Sequence, residues 1–149
     1  MCARIGSTPR PSPRERADSS TAAYNAGDLT LLAGFYLPEA LFVAPDAELK
    51  GREQVAEYFR AFLEAFPDGN AEVVSRHDAG ATTIDEWVFH GTHTGPLPTP
   101  TGETIPPTGA RVSVRGVDIQ THRNGGVARH HTYFDQVQFL TQLGLMPEA

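Results

Sequence analysis

Two segments near the C-terminus concentrate side chains able to move protons. Arg111–Arg123 and Val127–Gln136 flank Asn124-Gly125-Gly126, and Asn-Gly is a strong signal for a two-residue hairpin turn. Alternation along a strand groups His131, Tyr133 and Asp135 on one face and His130, Thr132 and Phe134 on the other. A loop of Asn124 and Gly125 sets Asp118 opposite His131 and Gly116 opposite Tyr133. A Gly125-Gly126 turn moves the partners by two and keeps the grouping, whereas a three-residue loop breaks it. Under both two-residue registers one surface collects Asp118, Gln120, His122, His131, Tyr133 and Asp135.

That set suits acid–base work. A carboxylate in an apolar surrounding loses solvation, which raises its pKa toward a range useful for proton transfer. A neighbouring imidazole or phenol orients it or shares charge developing on a substrate. The plain alternative is a solvated sheet face bearing ordinary polar residues. A second cluster, Trp87-Val88-Phe89-His90-Gly91-Thr92-His93, places Trp87, Phe89 and His93 on one face, with His93 at its end just before a proline-rich loop. His93 reads equally as a contact at a pocket rim and as a cap on the loop backbone.

Other chemistries find no matching pattern. His90 and His93 fall on opposite strand faces, as do His130 and His131, and there is no His-Glu-x-x-His or Cys-x-x-Cys, so no metal is expected. A phosphate loop, a dinucleotide glycine fingerprint and a Gly-x-Ser-x-Gly elbow are also missing.

The remaining chain must position these residues. Arg14 to Asn25 reads as a helix ending at Gly27, and Asp28 caps a short helix from Leu29 to Tyr36. Ala40–Val43 and the segment after Asp46 read as a short hairpin. Arg52 to Phe66 is the clearest helix, with Val55, Tyr58, Phe59, Phe62, Leu63 and Phe66 on one stripe. Ala71–Arg76 and Thr82–Thr94 form an antiparallel pair. Residues 95–109 hold five prolines and read as a long loop, a lid or rim. Phe139–Leu145 is a short terminal helix or turn. An aromatic helix stripe needs a broad apolar partner, so the expected fold is α+β: a curved antiparallel sheet wrapped around helices, forming a cone with one open end.

Composition narrows the function further. The chain has 149 residues, a net charge of −6 and a pI near 5.4, which argues against a nucleic-acid partner. No apolar run reaches the roughly 18–20 residues of a membrane helix. Cys2 is the only cysteine, which excludes an internal disulfide framework. Residues 1–16 carry Arg4, Arg10, Arg14 and Arg16 against Glu15, and read as a flexible basic tail before a single domain over 17–149. The tail has no hydrophobic region, so it is not a secretory signal, and a cytoplasmic location is expected.

Several segments together resemble the SnoaL-like polyketide cyclase family of the nuclear transport factor 2-like superfamily. They are Ala23-Tyr24-Asn25-Ala26-Gly27-Asp28-Leu29, Gly51-Arg52-Glu53, Gly91-Thr92-His93-Thr94-Gly95, Ile105-Pro106-Pro107-Thr108-Gly109, Gly116-Val117-Asp118-Ile119 and Tyr133-Phe134-Asp135 followed by Gln142-Leu143-Gly144. The resemblance implies a cone-shaped domain that dimerises through its sheet. It implies a pocket for a hydrophobic carbonyl substrate and chemistry without cofactor or metal. In characterised cyclases an aspartate at the position of Asp135 is the acid/base of an intramolecular aldol ring closure. His131 stands where many members carry tryptophan. The expected catalytic set is thus Asp135, His131 and Tyr133, with Asp118, His93, Trp87, His122 and Tyr24 contacting substrate. The alternatives are a limonene-type epoxide hydrolase, which also ends its last strand in Tyr-Phe-Asp, and a non-catalytic ligand-binding or dimerisation module.

Overall fold

The computed structural model describes residues 11–99 and 102–146. Helix α1 (Pro13–Asn25) starts on Ser12, whose hydroxyl accepts the Glu15 N–H while the Glu15 carboxylate accepts the Ser12 N–H, a reciprocal cap that satisfies two otherwise free donors. Residues 13–16 are therefore the first turn of a helix and not tail. Arg14 lies 3.2 Å from Asp78, and Arg16 donates to His122. Of the tail expected over residues 1–16, residues 1–10 lie outside the described residues. Helix α2 (Leu29–Gly34) is capped by Asp28, as expected.

Strands β1 (Tyr36–Ala44) and β2 (Ala47–Lys50) precede helix α3 (Arg52–Ala65). Then come β3 (Asn70–Ala79), β4 (Thr82–Thr92), β5 (Leu97–Pro98), β6 (Thr104–Ile105), β7 (Arg111–Arg123), β8 (Gly126–Phe134) and helix α4 (Gln136–Gln142). Six strands form one sheet in the order β2-β1-β8-β7-β4-β3, and β5 and β6 form a separate ribbon inside the proline-rich loop. Every pair in the large sheet is antiparallel except β1 with β8. That parallel pairing draws β1 out to nine residues, well beyond the short strand expected at 40–43. Pro38 is tolerated because β1 is irregular there: its register shifts between Tyr36 and Leu41, so the missing N–H interrupts no regular ladder.

The core divides in two. Leu32, Tyr36, Phe42, Val55 and Val127 pack at one end; Ala65, Phe66, Phe89, Val112, Val114 and Phe139 pack at the other. Helix α3 contributes to both through the predicted stripe. Its ends, Val55 and Ala65, are fully buried, while Tyr58, Phe59 and Phe62 between them are only partly so. Those three rings are walls of a cavity as well as core.

Two backbone details set the sheet. Asn124 and Gly125 have φ of 51° and 81°, the left-handed pair that a two-residue hairpin with native twist demands. Beside that turn the pairing is as expected, Arg123 with Gly126 and His122 with Val127. One residue later Ala128 is extruded as a bulge, and Thr121 pairs with Arg129. The extra residue reverses the parity of all that follows. Asp118 consequently faces Thr132, Gln120 faces His130, and Ile119 faces His131.

Candidate active site

The concave face of the sheet, α1 and α3 enclose a cavity of about 140 Å³ with a mainly apolar wall. Adjacent strands deliver its polar groups. Asp118 and Gln120 come from β7, His130 and Thr132 from β8, Asp85 and Trp87 from β4, and Tyr36 from the start of β1. Trp87 lies directly across from Gly116, where a side-chain β-carbon would come within 2.2 Å of the indole. The bare glycine is what lets the indole lie over β7.

Asp118 and His130 form the centre. His130 Nε2 stands 3.2 Å from Asp118 Oδ1, an ion-pair distance off the line of a full hydrogen bond. On the other side of the ring, Nδ1 is 2.7 Å from the Tyr36 hydroxyl and 3.4 Å from Gln120 Nε2. Tyr36 also stacks parallel to the imidazole, and Phe42 packs at 4.6 Å between centroids. The ring of His130 is thereby fixed in position and almost wholly buried, while a quarter of the Asp118 side chain faces the cavity.

Burial pushes the Asp118 carboxyl up. The positive charge and ring N–H of His130, together with the Thr132 and Trp87 side chains, outweigh it and hold the carboxyl below the usual carboxylate range. The result is an ionised carboxylate in an apolar enclosure. Burial first, and the Asp118 charge second, push the Tyr36 phenol well up, so its hydroxyl keeps its proton.

A second ion pair lies beside the first. Arg76 donates to both oxygens of Asp85, at 2.7 and 2.9 Å, with both side chains buried. Asp85 is the direct cross-strand partner of Asp118. Arg76, Asp85, Asp118 and His130 therefore cross the sheet on β3, β4, β7 and β8, each carboxylate beside its own basic side chain.

The expected site residues separate. Asp118, Trp87 and Tyr24 line the cavity. Asp135 does not: it is exposed, and its Oδ1 accepts the Gln138 N–H at 2.9 Å as the cap of α4. His131 and Tyr133 lie on the convex face because of the Ala128 bulge. His131 Nε2 accepts from Arg129 Nε at 2.9 Å, its Nδ1 is 3.1 Å from the Tyr133 hydroxyl, and Tyr133 is exposed. The grouping of Asp118 with His131, Tyr133 and Asp135 is thus replaced by Asp118 with His130 and Thr132.

His93 is not at a rim. It is fully buried against Phe66, and its Nδ1 accepts the Thr108 N–H at 3.2 Å. It ties down the far end of the proline-rich loop, the backbone-capping role open from sequence. His122 is buried away from the cavity between Arg16 and Thr83, 3.3 Å from each. Burial, then the charges of Arg16 and His130, push its pKa down to about 4. A ring titration followed by NMR will show His122 neutral at pH 6 and protonating near pH 4; an ordinary midpoint would mean that the Arg16 contact is solvated.

Sequence reasoning missed His130 and Tyr36. No residue type marks Ala128 as a bulge, so parity sent His130 to the wrong face, and Tyr36 was assigned to a helix end. For Asp135 a signal was present. Asp135-Gln136-Val137-Gln138 has an N-cap followed three residues later by glutamine, a common helix start.

Among the described residues no cluster of His, Cys, Asp and Glu could hold a metal ion, and no helix is long and apolar enough to cross a membrane. No curated protein matches the chain in sequence. Solved structures do. AclR from Streptomyces galilaeus, provisionally assigned as a hydroxylase, superposes with a TM-score of 0.78 at 25% identity, covering 92% of this chain and 87% of that one. TsrD from Streptomyces laurentii gives 0.78 at 27% identity over 94% and 100%. IdmH from Streptomyces antibioticus, provisionally assigned as a polyketide cyclase, gives 0.73 at 25% identity over 89% and 98%. The architecture is that of nuclear transport factor 2-like and ketosteroid isomerase-like proteins. The model of the SnoaL-like domain matches residues 17–130, a span that holds most of α1, all of α2, α3, β3, β4 and β7 and both members of the Asp118–His130 pair, and the chain belongs to that family.

Proposed function

We propose that this protein is an acid–base enzyme that moves a proton on a hydrophobic carbonyl compound without a cofactor, in a ring closure or a related isomerisation. The observation that carries this reading is the ionised Asp118 carboxylate, held by His130 inside an apolar cavity. The carboxylate is thereby kept in its proton-accepting form and shielded from bulk water. In the proposed step Asp118 takes a proton from the carbon next to a carbonyl; the enolate closes on a second carbonyl, whose oxygen takes that proton back from Asp118, or is reprotonated by Asp118 at another carbon. His130 Nε2, 3.2 Å from the carboxylate, orients it, and the Tyr36 hydroxyl keeps the ring in place. The provisional assignment of IdmH as a polyketide cyclase agrees with ring closure in a cavity of this kind.

The hydrolase reading has one observation in its favour, two aspartates side by side on the cavity wall with an arginine bound to one of them. Arg76, however, occupies both oxygens of Asp85, which leaves that carboxylate poorly placed to activate water. The test is proton exchange in D₂O. Hydrophobic aryl ketones and β-diketones will lose their α-protons faster with enzyme than in buffer, read by NMR; a panel without acceleration would overturn the acid–base reading.

A further inference from the structure

Outside the cavity, α3, β2, the β5–β6 ribbon and α4 border a groove of about 560 Å³. Tyr58, Phe62, Phe134 and Phe139 belong to the walls of both spaces. Their rings form an unbroken chain. Tyr58 meets Phe62 at 5.2 Å between centroids, Phe62 meets Phe139 at 6.2 Å, and Phe139 meets Phe134 at 6.1 Å. One aromatic collar thus separates an inner chamber, with the Asp118–His130 pair, from an outer apolar groove.

The two volumes set what can bind. A cavity of about 150 Å³ accepts a benzene ring, so the inner chamber, at about 140 Å³, has room for a single six-membered ring. It falls short of the roughly 300–1,000 Å³ of ordinary small-molecule sites, whereas the outer groove falls within that range. The groove also has a polarity. Its exposed rim bears Asp46 and Glu57, and none of its lining residues is basic.

We infer that the two spaces form one divided site for an elongated molecule, with a single carbonyl-bearing or hydroxyl-bearing ring in the inner chamber and a neutral apolar extension in the outer groove, joined through the Tyr58–Phe62–Phe134–Phe139 collar. A compact fused polycycle does not fit the inner chamber, and an extension ending in a carboxylate or phosphate meets like charge at Asp46 and Glu57. The inference rests on the acid–base reading only for what the inner ring meets; the groove is tested by binding alone.

The probes are 4-alkylphenols from methyl to hexyl, followed by fluorescence of Trp87, the only tryptophan and part of the inner wall. In the wild-type protein the dissociation constant will fall by up to three- to fourfold, roughly, for each added CH₂ that enters the groove. In Ala61→Phe, which fills the groove, and Leu140→Gln, which makes its wall polar, that slope will flatten while 4-methylphenol binds as before. A phenol whose alkyl chain ends in a carboxylate will bind more weakly than its neutral counterpart, and salt will narrow the gap. Affinity independent of chain length, or an unchanged slope in both variants, would overturn the divided site. Chain-length dependence without proton exchange would keep the groove and remove the acid–base reading, and the converse result would do the reverse.

Discussion

Asp118→Asn will lower turnover by about 10²–10⁴-fold, the usual contribution of a positioned general base, while the far-ultraviolet circular dichroism stays that of the wild type. The substitution keeps shape and hydrogen-bonding capacity at the cavity wall and removes only the charge and the basicity. The pH dependence of stability distinguishes this from simple damage. The folded-state pKa of Asp118 lies below its unfolded value, so its ionisation stabilises the native state above about pH 4. That contribution fades as the pH falls through the folded pKa. The stability gap between wild type and Asp118→Asn will therefore be full at neutral pH and shrink in acid. Asp135→Ala supplies the contrast. It removes the cap of α4 and will cost about 0.5–2 kcal/mol with turnover per folded molecule unchanged. If Asp135→Ala abolishes turnover and Asp118→Asn does not, the assignment to Asp118 fails.

Arg76→Met, which strips a cavity-wall carboxylate of its partner, is expected to be strongly destabilising, by about 3–5 kcal/mol. Methionine retains the length and packing of the arginine stem but leaves the Asp85 carboxylate buried without a partner. The third contact of Arg76, with Asp18 at 3.3 Å, adds little because Asp18 is exposed. Lysine will not rescue, since an ammonium cannot span both carboxylate oxygens as the guanidinium does. The double substitution Arg76→Met with Asp85→Leu will recover most of the loss, because a well-packed apolar pair removes both desolvation costs. Urea denaturation of the three variants measures this. A loss below about 1 kcal/mol in Arg76→Met would place the pair among solvated surface bridges.

The elements were legible because local rules act on a few residues at a time. The α3 stripe has helical spacing over four turns, Asp28 precedes a short apolar helix, and Asn124-Gly125 permits the left-handed turn that joins β7 and β8. Each needs only its neighbours to act. Expectations failed where a distant strand intervenes. β1 begins early because β8 is available to pair with it, and no local pattern around Pro38 announces a strand.

By itself the sequence determined an acidic α+β domain with a strongly aromatic helix and a long hairpin turning within Asn124-Gly125-Gly126, with aspartates and histidines gathered on its final strands. Tertiary structure alone decided which aspartate and which histidine meet. The physical reason is the two-residue period of a strand: one extruded residue, Ala128, exchanges every side chain beyond it between the two faces. Ala128 turns His131 and Tyr133 outward and brings His130 to Asp118. Asp135, beyond the strand, is left to cap a helix.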